Sequence, residues 1–189
     1  MALLNINLCD GHALRALQGA QAEGQPLALA AADFDEDGVP DLVSGYAAGP
    51  GGTVTVHRGN VGALWPYEAA VRNGAPEAFL PDARTFDLPE RPDFLGVGDF
   101  NADGHWDIVA ASRGGSALYF LLGDGHGGFS AAQQVSLPGV VTAMTTGETN
   151  RADGLTDIVV SVSAGRGSQV LVFEAPNGVQ TYLTHLRRY

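Results

Sequence analysis

Residues 32–43 read ADFDEDGVPDLV, in which aspartates recur at every second position before a glycine. A closely related stretch, GDFNADGHWDIV, occupies residues 98–109. A third stretch, GETNRADGLTDIV at residues 147–159, matches the other two if Arg151 is taken as a one-residue insertion. Because the pattern recurs along one chain, the sequence predicts a repeat architecture.

Short apolar runs flank each acidic stretch, and runs of this length bounded by Asp-Gly turns are typical of β-strands. Each stretch is also followed by a strand, a glycine turn and a returning strand, as in YFLLGDGHGGF at residues 119–129. Related copies begin at Val54 and Val170. The repeat unit is therefore predicted to contain four strands, with the acidic loop between the first two.

Four-stranded repeats stack as the blades of a β-propeller. The predicted fold is all-β, with blades of four antiparallel strands and about three and a half blades, whereas a closed ring needs roughly four to eight. We expect remaining blades or a second copy of the chain to close the propeller. The predicted units are residues 1–26 (the last two strands of a preceding blade), 27–93 (a blade with acidic loop 33–41 and a long Pro-rich insertion), 94–139 (a blade with loop 99–107) and 140–189 (a blade with the degenerate loop 148–157).

Composition excludes several classes of protein. The formal net charge of −11 argues against nucleic acid as a partner, because phosphate binding needs clustered Lys and Arg. The single cysteine, Cys9, excludes an internal disulfide framework and a multi-cysteine zinc site. No apolar run is long enough to span a bilayer, and the first eight residues do not resemble a signal peptide.

The acidic loops carry the pattern of a calcium site. Aspartates at alternate positions of a tight turn converge their carboxylates, and the glycine permits the bend. A cation with six to eight oxygen ligands, Ca²⁺, suits such a donor set. The backbone carbonyl at the seventh position can add an oxygen. The candidate ligands are Asp33, Asp35, Asp37, Val39 and Asp41 in the first loop, and Asp99, Asn101, Asp103, His105 and Asp107 in the second.

The three loops differ in charge. Asn101 supplies a neutral oxygen where the first loop has Asp35, so the second loop is expected to bind calcium more weakly. In the third loop Asp153 and Asp157 remain, but Glu148 and Asn150 are out of register and Arg151 adds a positive charge. We expect the third loop to be metal-free.

Three other interpretations compete with calcium loops. Asp-Gly pairs are common in plain hairpin turns, although two good copies in one chain make that interpretation less probable. An EF-hand needs a bidentate Glu at its twelfth position, where Ser44 and Ala110 stand. The spacing Gly123-x-Gly125-x-x-Gly128 matches a dinucleotide fingerprint, but a strand, not a helix, is predicted after it.

The motif D-x-[DN]-x-D-G-x-x-D-[LI]-V, with a downstream glycine hairpin, resembles the FG-GAP/VCBS repeats of integrin α-subunit propellers and many bacterial secreted proteins. The resemblance implies a calcium-stabilised propeller whose ligands are the matching Asp and Asn positions of loops 33–41 and 99–107. It also implies a secreted or cell-surface setting. Family members include adhesion proteins, lectins and domains attached to enzymes.

The leading functional hypothesis is a non-catalytic calcium-binding module that presents a surface to a protein or glycan ligand. The alternative is a portion of a larger secreted carbohydrate-active enzyme whose catalytic residues lie outside this chain. The Pro-rich stretch is the least repeat-like segment, and long loops often carry binding residues. There Trp65, Tyr67, Arg72 and Arg84 are candidates for ligand contact, against the simpler interpretation of an ordinary surface excursion.

Overall fold

The computed structural model describes residues 24–64, 77–149, 154–165, 167–174 and 186–188. In these ranges the chain consists of strands and loops, with one short helix, α1 (Val61–Leu64). In chain order the strands are β1 (Gln25–Ala32), β2 (Asp41–Ala48), β3 (Gly51–His57), β4 (Arg84–Leu88), β5 (Phe94–Gly98), β6 (Asp107–Ala111), β7 (Ala117–Leu121), β8 (Gln133–Ser136), β9 (Val140–Gly147), β10 (Asp157–Ala164), β11 (Gly167–Phe173) and β12 (Leu186–Arg188).

The described strands form three antiparallel sheets of four strands each. Each sheet is made of consecutive strands in chain order, β1–β4, β5–β8 and β9–β12, and we call these sheets blade 1, blade 2 and blade 3. The predicted all-β fold of four-stranded antiparallel blades is therefore confirmed. β1 begins at Gln25, so residues 25 and 26 belong to blade 1, and the half blade predicted before them lies outside the described residues.

The acidic loops occupy the same place in every blade. The residue pairs that close them are Ala32 with Asp41 in blade 1, Gly98 with Asp107 in blade 2, and Gly147 with Asp157 in blade 3. Each loop thus joins the first strand of its blade to the second. Because the register is shared, residues at equal distances from the closing aspartate occupy equivalent positions in the three blades.

Blade 2 is buried on both faces because successive side chains of a strand point to opposite sides of the sheet. In β6, Ile108 and Ala110 belong to the core shared with blade 1, whereas Val109 and Ala111 belong to the core shared with blade 3. In β7, Leu118 likewise faces blade 3. Strands buried on two faces read as continuous apolar runs, which explains the YFLL sequence.

The blades are arranged as in a propeller, with their first strands side by side. β1 contacts β5, and β5 contacts β9. Close approach between blades 2 and 3 depends on a missing side chain at Gly98, where a Cβ atom would lie 2.6 Å from Oγ1 of Thr156.

No helix in the described part of the chain is long and apolar enough to cross a membrane.

Blade 3 has an apolar face that no further blade covers among the described residues. Val170 of β11 is equivalent to Leu118 of β7 in the shared register, because Val170 pairs with Ser161 and Leu118 pairs with Ala111, each four residues after its closing aspartate. Leu118 is 0% exposed, but Val170 is 40% exposed. The described blades therefore form part of a propeller rather than a closed ring.

Candidate cation loops

The first acidic loop, residues 33–41, brings three carboxylates together. One oxygen each of Asp33, Asp35 and Asp37 lies within 4.8 Å of the others. The bend that allows this needs two left-handed residues, Glu36 with φ of 58° and Gly38 with φ of 89°. Left-handed backbone is unfavourable for a residue other than glycine, so the loop imposes this backbone conformation on Glu36.

Backbone amides hold the first carboxylate of the loop in place. Oδ1 of Asp33 accepts a hydrogen bond from Asp37 N at 3.1 Å, and its Oδ2 accepts one from Gly38 N at 2.9 Å. Asp37 in turn accepts a bond from Val39 N at 2.9 Å. The turn is therefore built by its own acidic side chains, in the manner of consecutive Asx turns.

The second loop, residues 99–107, repeats the hydrogen bonds from backbone amides to acidic side chains that build the first loop. Asp99 accepts from Asp103 N at 3.2 Å and from Gly104 N at 2.9 Å, and Asp103 accepts from His105 N at 2.9 Å. Ala102 has φ of 58° and Gly104 has φ of 90°, close to the values of Glu36 and Gly38. The same local sequence pattern has thus produced the same local structure twice.

Asn101 marks the one difference between the loops in their candidate side-chain ligands. Its Oδ1 accepts a hydrogen bond from Asp103 N at 3.1 Å, as Asp35 does from Asp37 N at 3.4 Å. Its Nδ2 donates to Asp103 Oδ2 at 2.7 Å, which a carboxylate could not do. The amide therefore relieves repulsion inside the second loop by hydrogen bonding.

Asp41 and Asp107, at the ninth position, have a structural role that the sequence did not indicate. Asp41 accepts hydrogen bonds from Phe34 N at 3.0 Å and from Gly59 N at 2.7 Å. Asp107 accepts from Phe100 N at 2.9 Å and from Gly123 N at 2.8 Å. Each carboxylate thus ties the start of its loop to the turn after the third strand.

Burial raises the pKa of both ninth-position carboxyl groups, and that of Asp107 reaches about 6. The backbone amides act in the opposite direction, and the neighbouring loop aspartates add to the increase. A buried carboxylate surrounded by other carboxylates is more easily ionised when a cation lies nearby. The electrostatics of Asp107 therefore favour a positive charge at this loop.

The third loop keeps only part of the pattern. Oδ2 of Asp157 accepts hydrogen bonds from Thr149 N at 2.9 Å and from Thr149 Oγ1 at 2.6 Å, so the closing aspartate is still bonded to the start of its loop. Glu148 is exposed. Asn150, Arg151 and Asp153 lie outside the described residues, and the prediction that this loop is metal-free stays a prediction.

The two complete loops touch each other across the boundary between blades 1 and 2. Nδ1 of His105 lies 2.6 Å from Oε1 of Glu36, and this hydrogen bond raises the pKa of His105. The imidazole of His105 is thus directed to the first loop, while its backbone remains at the seventh position of the second. The sequence alone could not pair these residues, because 69 positions separate them.

The glycine turn of blade 2 also lies against the first loop. Gly127 N donates to Phe34 O at 3.0 Å, and the ring of Phe129 packs edge-on against Phe34 with centroids 5.2 Å apart. Gly125 and Gly127 have φ of 69° and 70°, and β8 follows the turn. The glycines that resemble a dinucleotide fingerprint therefore form a hairpin turn that covers the first loop.

Arg58 is a functional candidate that the sequence analysis missed. Its guanidinium forms a salt bridge and a hydrogen bond with Oδ2 of Asp35. The side chain of Asp35 is 4% exposed and that of Arg58 is 34% exposed. A signal was available in the sequence, since Arg58 directly precedes the glycine of a turn that returns to the acidic loop.

The Pro-rich insertion can be placed in the turn after β3. In blade 2 the turn is closed by a bridge between Gly123 and Phe129, and in blade 1 the corresponding bridge joins Gly59 to Phe79. Trp65, Tyr67 and Arg72 come between Gly59 and Phe79 in the sequence and lie outside the described residues. Arg84 starts β4 and donates a hydrogen bond to the carbonyl of His126 at 3.4 Å, so it belongs to the sheet rather than to a loop.

The donor set of the first loop fits a calcium ion. Oxygen ligands lie about 2.3–2.6 Å from Ca²⁺, so two ligands of one ion are at most about 5.2 Å apart. The three carboxylate oxygens, all within 4.8 Å of one another, meet this condition. Carboxylate and amide oxygens are also hard donors, and Ca²⁺ prefers hard oxygen donors, whereas softer metals favour nitrogen or sulfur ligands. Asp33, Asp35 and Asp37 would hold the ion in this loop.

Comparison with known proteins agrees with the repeat pattern. Residues 99–160, from the first aspartate of the second loop into β10, match the FG-GAP-like repeat. No curated protein matches the chain by sequence. Among solved structures, the crystal structure of BBS1N in complex with ARL6DN, soaked with lead, matches at 15% identity with a TM-score of 0.37. That match covers 88% of this chain and 52% of the BBS1N chain, so this chain spans about half its length. Residues 99–160 are thus similar to an FG-GAP-like repeat, and they lie in a chain whose described strands form four-stranded antiparallel blades.

Proposed function

We propose that this chain is a non-catalytic calcium-binding propeller module in which calcium is structural. The observation that carries the proposal is the cluster of three carboxylate oxygens in the first loop, together with the repetition of that loop's backbone-to-carboxylate hydrogen bonds in the second. Carboxylates that converge without a cation repel one another by about 1 kcal/mol per pair in water. A bound Ca²⁺ turns this repulsion into attraction and holds the loop closed.

Calcium at these loops stabilises the contact between blades. The first loop carries Phe34 and Glu36, which contact the turn and the loop of blade 2. When the free ion is at about ten times its dissociation constant, each site adds about 1.4 kcal/mol to the free energy of unfolding. Extracellular calcium modules have dissociation constants of about 10⁻⁴–10⁻³ M, which supports a secreted or cell-surface location for this one.

The module presents a surface for a protein or glycan ligand. Trp106 in the second loop is 41% exposed. Exposed tryptophans are common anchors of binding surfaces. A glycan array probed with the chain in calcium and again in EDTA tests this part. Equal binding in calcium and in EDTA would mean that the ligand-binding surface does not depend on the acidic loops.

Thermal melting with and without calcium tests the proposed sites. The variant Asp37→Asn/Asp103→Asn removes one charge from each loop but keeps the oxygen that accepts the hydrogen bond from Val39 N or His105 N. We expect 2 mM Ca²⁺ to raise the melting temperature of the wild type by about 5–10 °C and that of the variant by much less.

Asp87→Asn, at an exposed position on β4, is the matched control and should respond to calcium like the wild type. Equal melting curves in calcium and in EDTA for the wild type would contradict the proposal. The acidic loops would then be self-bonded turns without a cation.

A further inference from the structure

The ligand sets of the two acidic loops reach the same charge by different routes when Arg58 is counted with the first. The first loop has four candidate ligand carboxylates, those of Asp33, Asp35, Asp37 and Asp41. The guanidinium of Arg58 adds one positive charge by its contact with Asp35. In the second loop Asn101 replaces one carboxylate, and three remain. Leaving aside Glu36, which is hydrogen-bonded to His105, the ligand carboxylates and Arg58 of the first loop sum to three negative charges, as the three ligand carboxylates of the second loop do.

Arg58 and Leu122 occupy equivalent places. Gly59 and Gly123 donate the matching hydrogen bonds to the ninth-position aspartates, so the residues that precede them correspond. An acidic loop residue is thus paired with a basic turn residue in blade 1. In blade 2 the neutral Asn101 coincides with the apolar Leu122. Relative to blade 1, blade 2 therefore lacks one negative charge (Asn101 for Asp35) and one positive charge (Leu122 for Arg58), and the two changes cancel.

The contact of Arg58 with Asp35 is confined to one side of the carboxylate. Both Nε and Nη2 of Arg58 contact Oδ2 of Asp35, and Oδ1 accepts the amide of Asp37 at 3.4 Å. A carboxylate that is 4% exposed needs a partner, because a buried charge without one is strongly unfavourable. Arg58 supplies that partner from the turn after β3, so this turn acts on the chemistry of the loop.

We propose that Arg58 is a built-in counter-ion that lowers the calcium affinity of the first loop to that of the second, so that both loops fill over the same range of calcium concentration. The proposal rests on the proposed function of the loops as calcium sites. A positive charge beside a ligand carboxylate repels the divalent ion and competes for the carboxylate. Equal filling matters because Glu36 and His105 join the two loops at one blade boundary.

The test compares calcium affinities of the first loop by isothermal titration calorimetry. Asp99→Asn/Asp103→Asn serves as the common background, because it silences the second loop and leaves one site to titrate. We expect Arg58→Leu in this background to bind calcium about tenfold more tightly, since one unit charge beside a divalent ion is worth on the order of a decade in affinity. Arg58→Gln, which keeps hydrogen-bonding capacity but not charge, should bind more tightly as well.

The matched control gives the first loop the residues found at the equivalent positions of blade 2, Asn for Asp35 and Leu for Arg58. Asp35→Asn/Arg58→Leu removes one negative and one positive charge, and its dissociation constant should return to within about threefold of the background value. Melting curves in EDTA show whether each variant is folded before titration. If Arg58→Leu unfolds in EDTA, Arg58→Gln decides the result.

Unchanged or weaker calcium binding by Arg58→Gln would overturn the proposal and make Arg58 a residue that positions Asp35 for the ion. Failure of the underlying function looks different. If the chain with both loops intact binds no calcium, the proposed calcium sites and the role of Arg58 fail together. If it binds calcium but the Arg58 variants match the background, only the role of Arg58 fails.

Discussion

At the scale of single residues, His57 differs most from its equivalents. It pairs with Leu42 on β2, and the equivalent places in blades 2 and 3 hold Leu121 and Phe173. His57 is 1% exposed, and its Nε2 has no hydrogen-bond partner among the described residues. Burial lowers the pKa of this imidazole, which is therefore held in its neutral form.

We expect His57 to make the protein less stable in mild acid. Because the pKa is lower in the folded state, the unfolded chain binds a proton first as pH falls below about 6.5, and the free energy of unfolding then decreases. Above that pH the imidazole is neutral in both states and has no such effect. His57→Leu, which copies Leu121, should remove this pH dependence and be more stable at pH 5 by on the order of 1 kcal/mol.

Urea denaturation at pH 5 and pH 7.5 measures the difference between the wild type and His57→Leu. His126→Leu, at an exposed turn position, is the control and should leave the pH dependence unchanged. If His57→Leu keeps the wild-type pH dependence, another group is responsible. The opposing carboxyl groups, Asp41 and Asp107, are present in both proteins and cancel in the comparison.

At the scale of elements, the glycine turn of blade 2 joins the first loop to the sheets. The ring of Phe129 packs edge-on against Phe34 of the loop and against Phe86 of β4, with centroids 5.2 Å and 5.3 Å apart. Aromatic pairs in this geometry contribute beyond their buried area. One side chain from the turn thus connects a loop and an outer strand of the neighbouring blade.

Phe129→Ala should therefore lower the free energy of unfolding by about 2 kcal/mol, somewhat less than a fully buried phenylalanine would. It should also weaken the stabilisation by calcium, because the loop loses the turn that covers it. Urea denaturation in calcium and in EDTA measures both effects. Val61→Ala, at an exposed apolar position, should change neither the free energy of unfolding nor the stabilisation by calcium. If Phe129→Ala lowers the free energy of unfolding no more than Val61→Ala does, the interpretation is contradicted.

At the scale of the whole molecule, face-to-face packing of the blades provides the core. Blade 2 shares one core with blade 1 and another with blade 3, and equivalent residues recur at each boundary. The outer face of blade 3 repeats the same apolar positions without a cover among the described residues. Leu118 and Val170 stand at equivalent positions, but among the described residues a following blade covers only Leu118.

Truncation at these two positions should therefore have unequal effects. Leu118→Ala should lower the free energy of unfolding by about 3 kcal/mol, because it leaves a cavity between blades 2 and 3. Val170→Ala should lower it by less than about 1 kcal/mol, because the side chain is largely in water. A large loss for Val170→Ala, together with a doubled mass in light scattering, would show that a second copy covers this face.

The repeat, the four-stranded unit and the positions of the two complete loops could be predicted from the sequence. These features depend on residues close together in the chain, such as Asp33 and Gly38, whose alternating spacing determines the turn through local hydrogen bonds. The closing pairs Ala32 with Asp41 and Gly98 with Asp107 follow from the same local patterns. The position of β4 could not be predicted in this way, because the Pro-rich insertion interrupts the pattern before it.

What the sequence alone determined is the local chemistry: all-β blades, two loops with calcium-type donor sets, and a net negative charge. What only the tertiary structure decided is how those loops are connected. Arg58 reaches Asp35 across 23 positions, and His105 reaches Glu36 across 69, because the packing of strands and blades brings them together. Spacing within a motif reports local geometry, but a contact between distant residues depends on packing, and no pattern within one repeat encodes it.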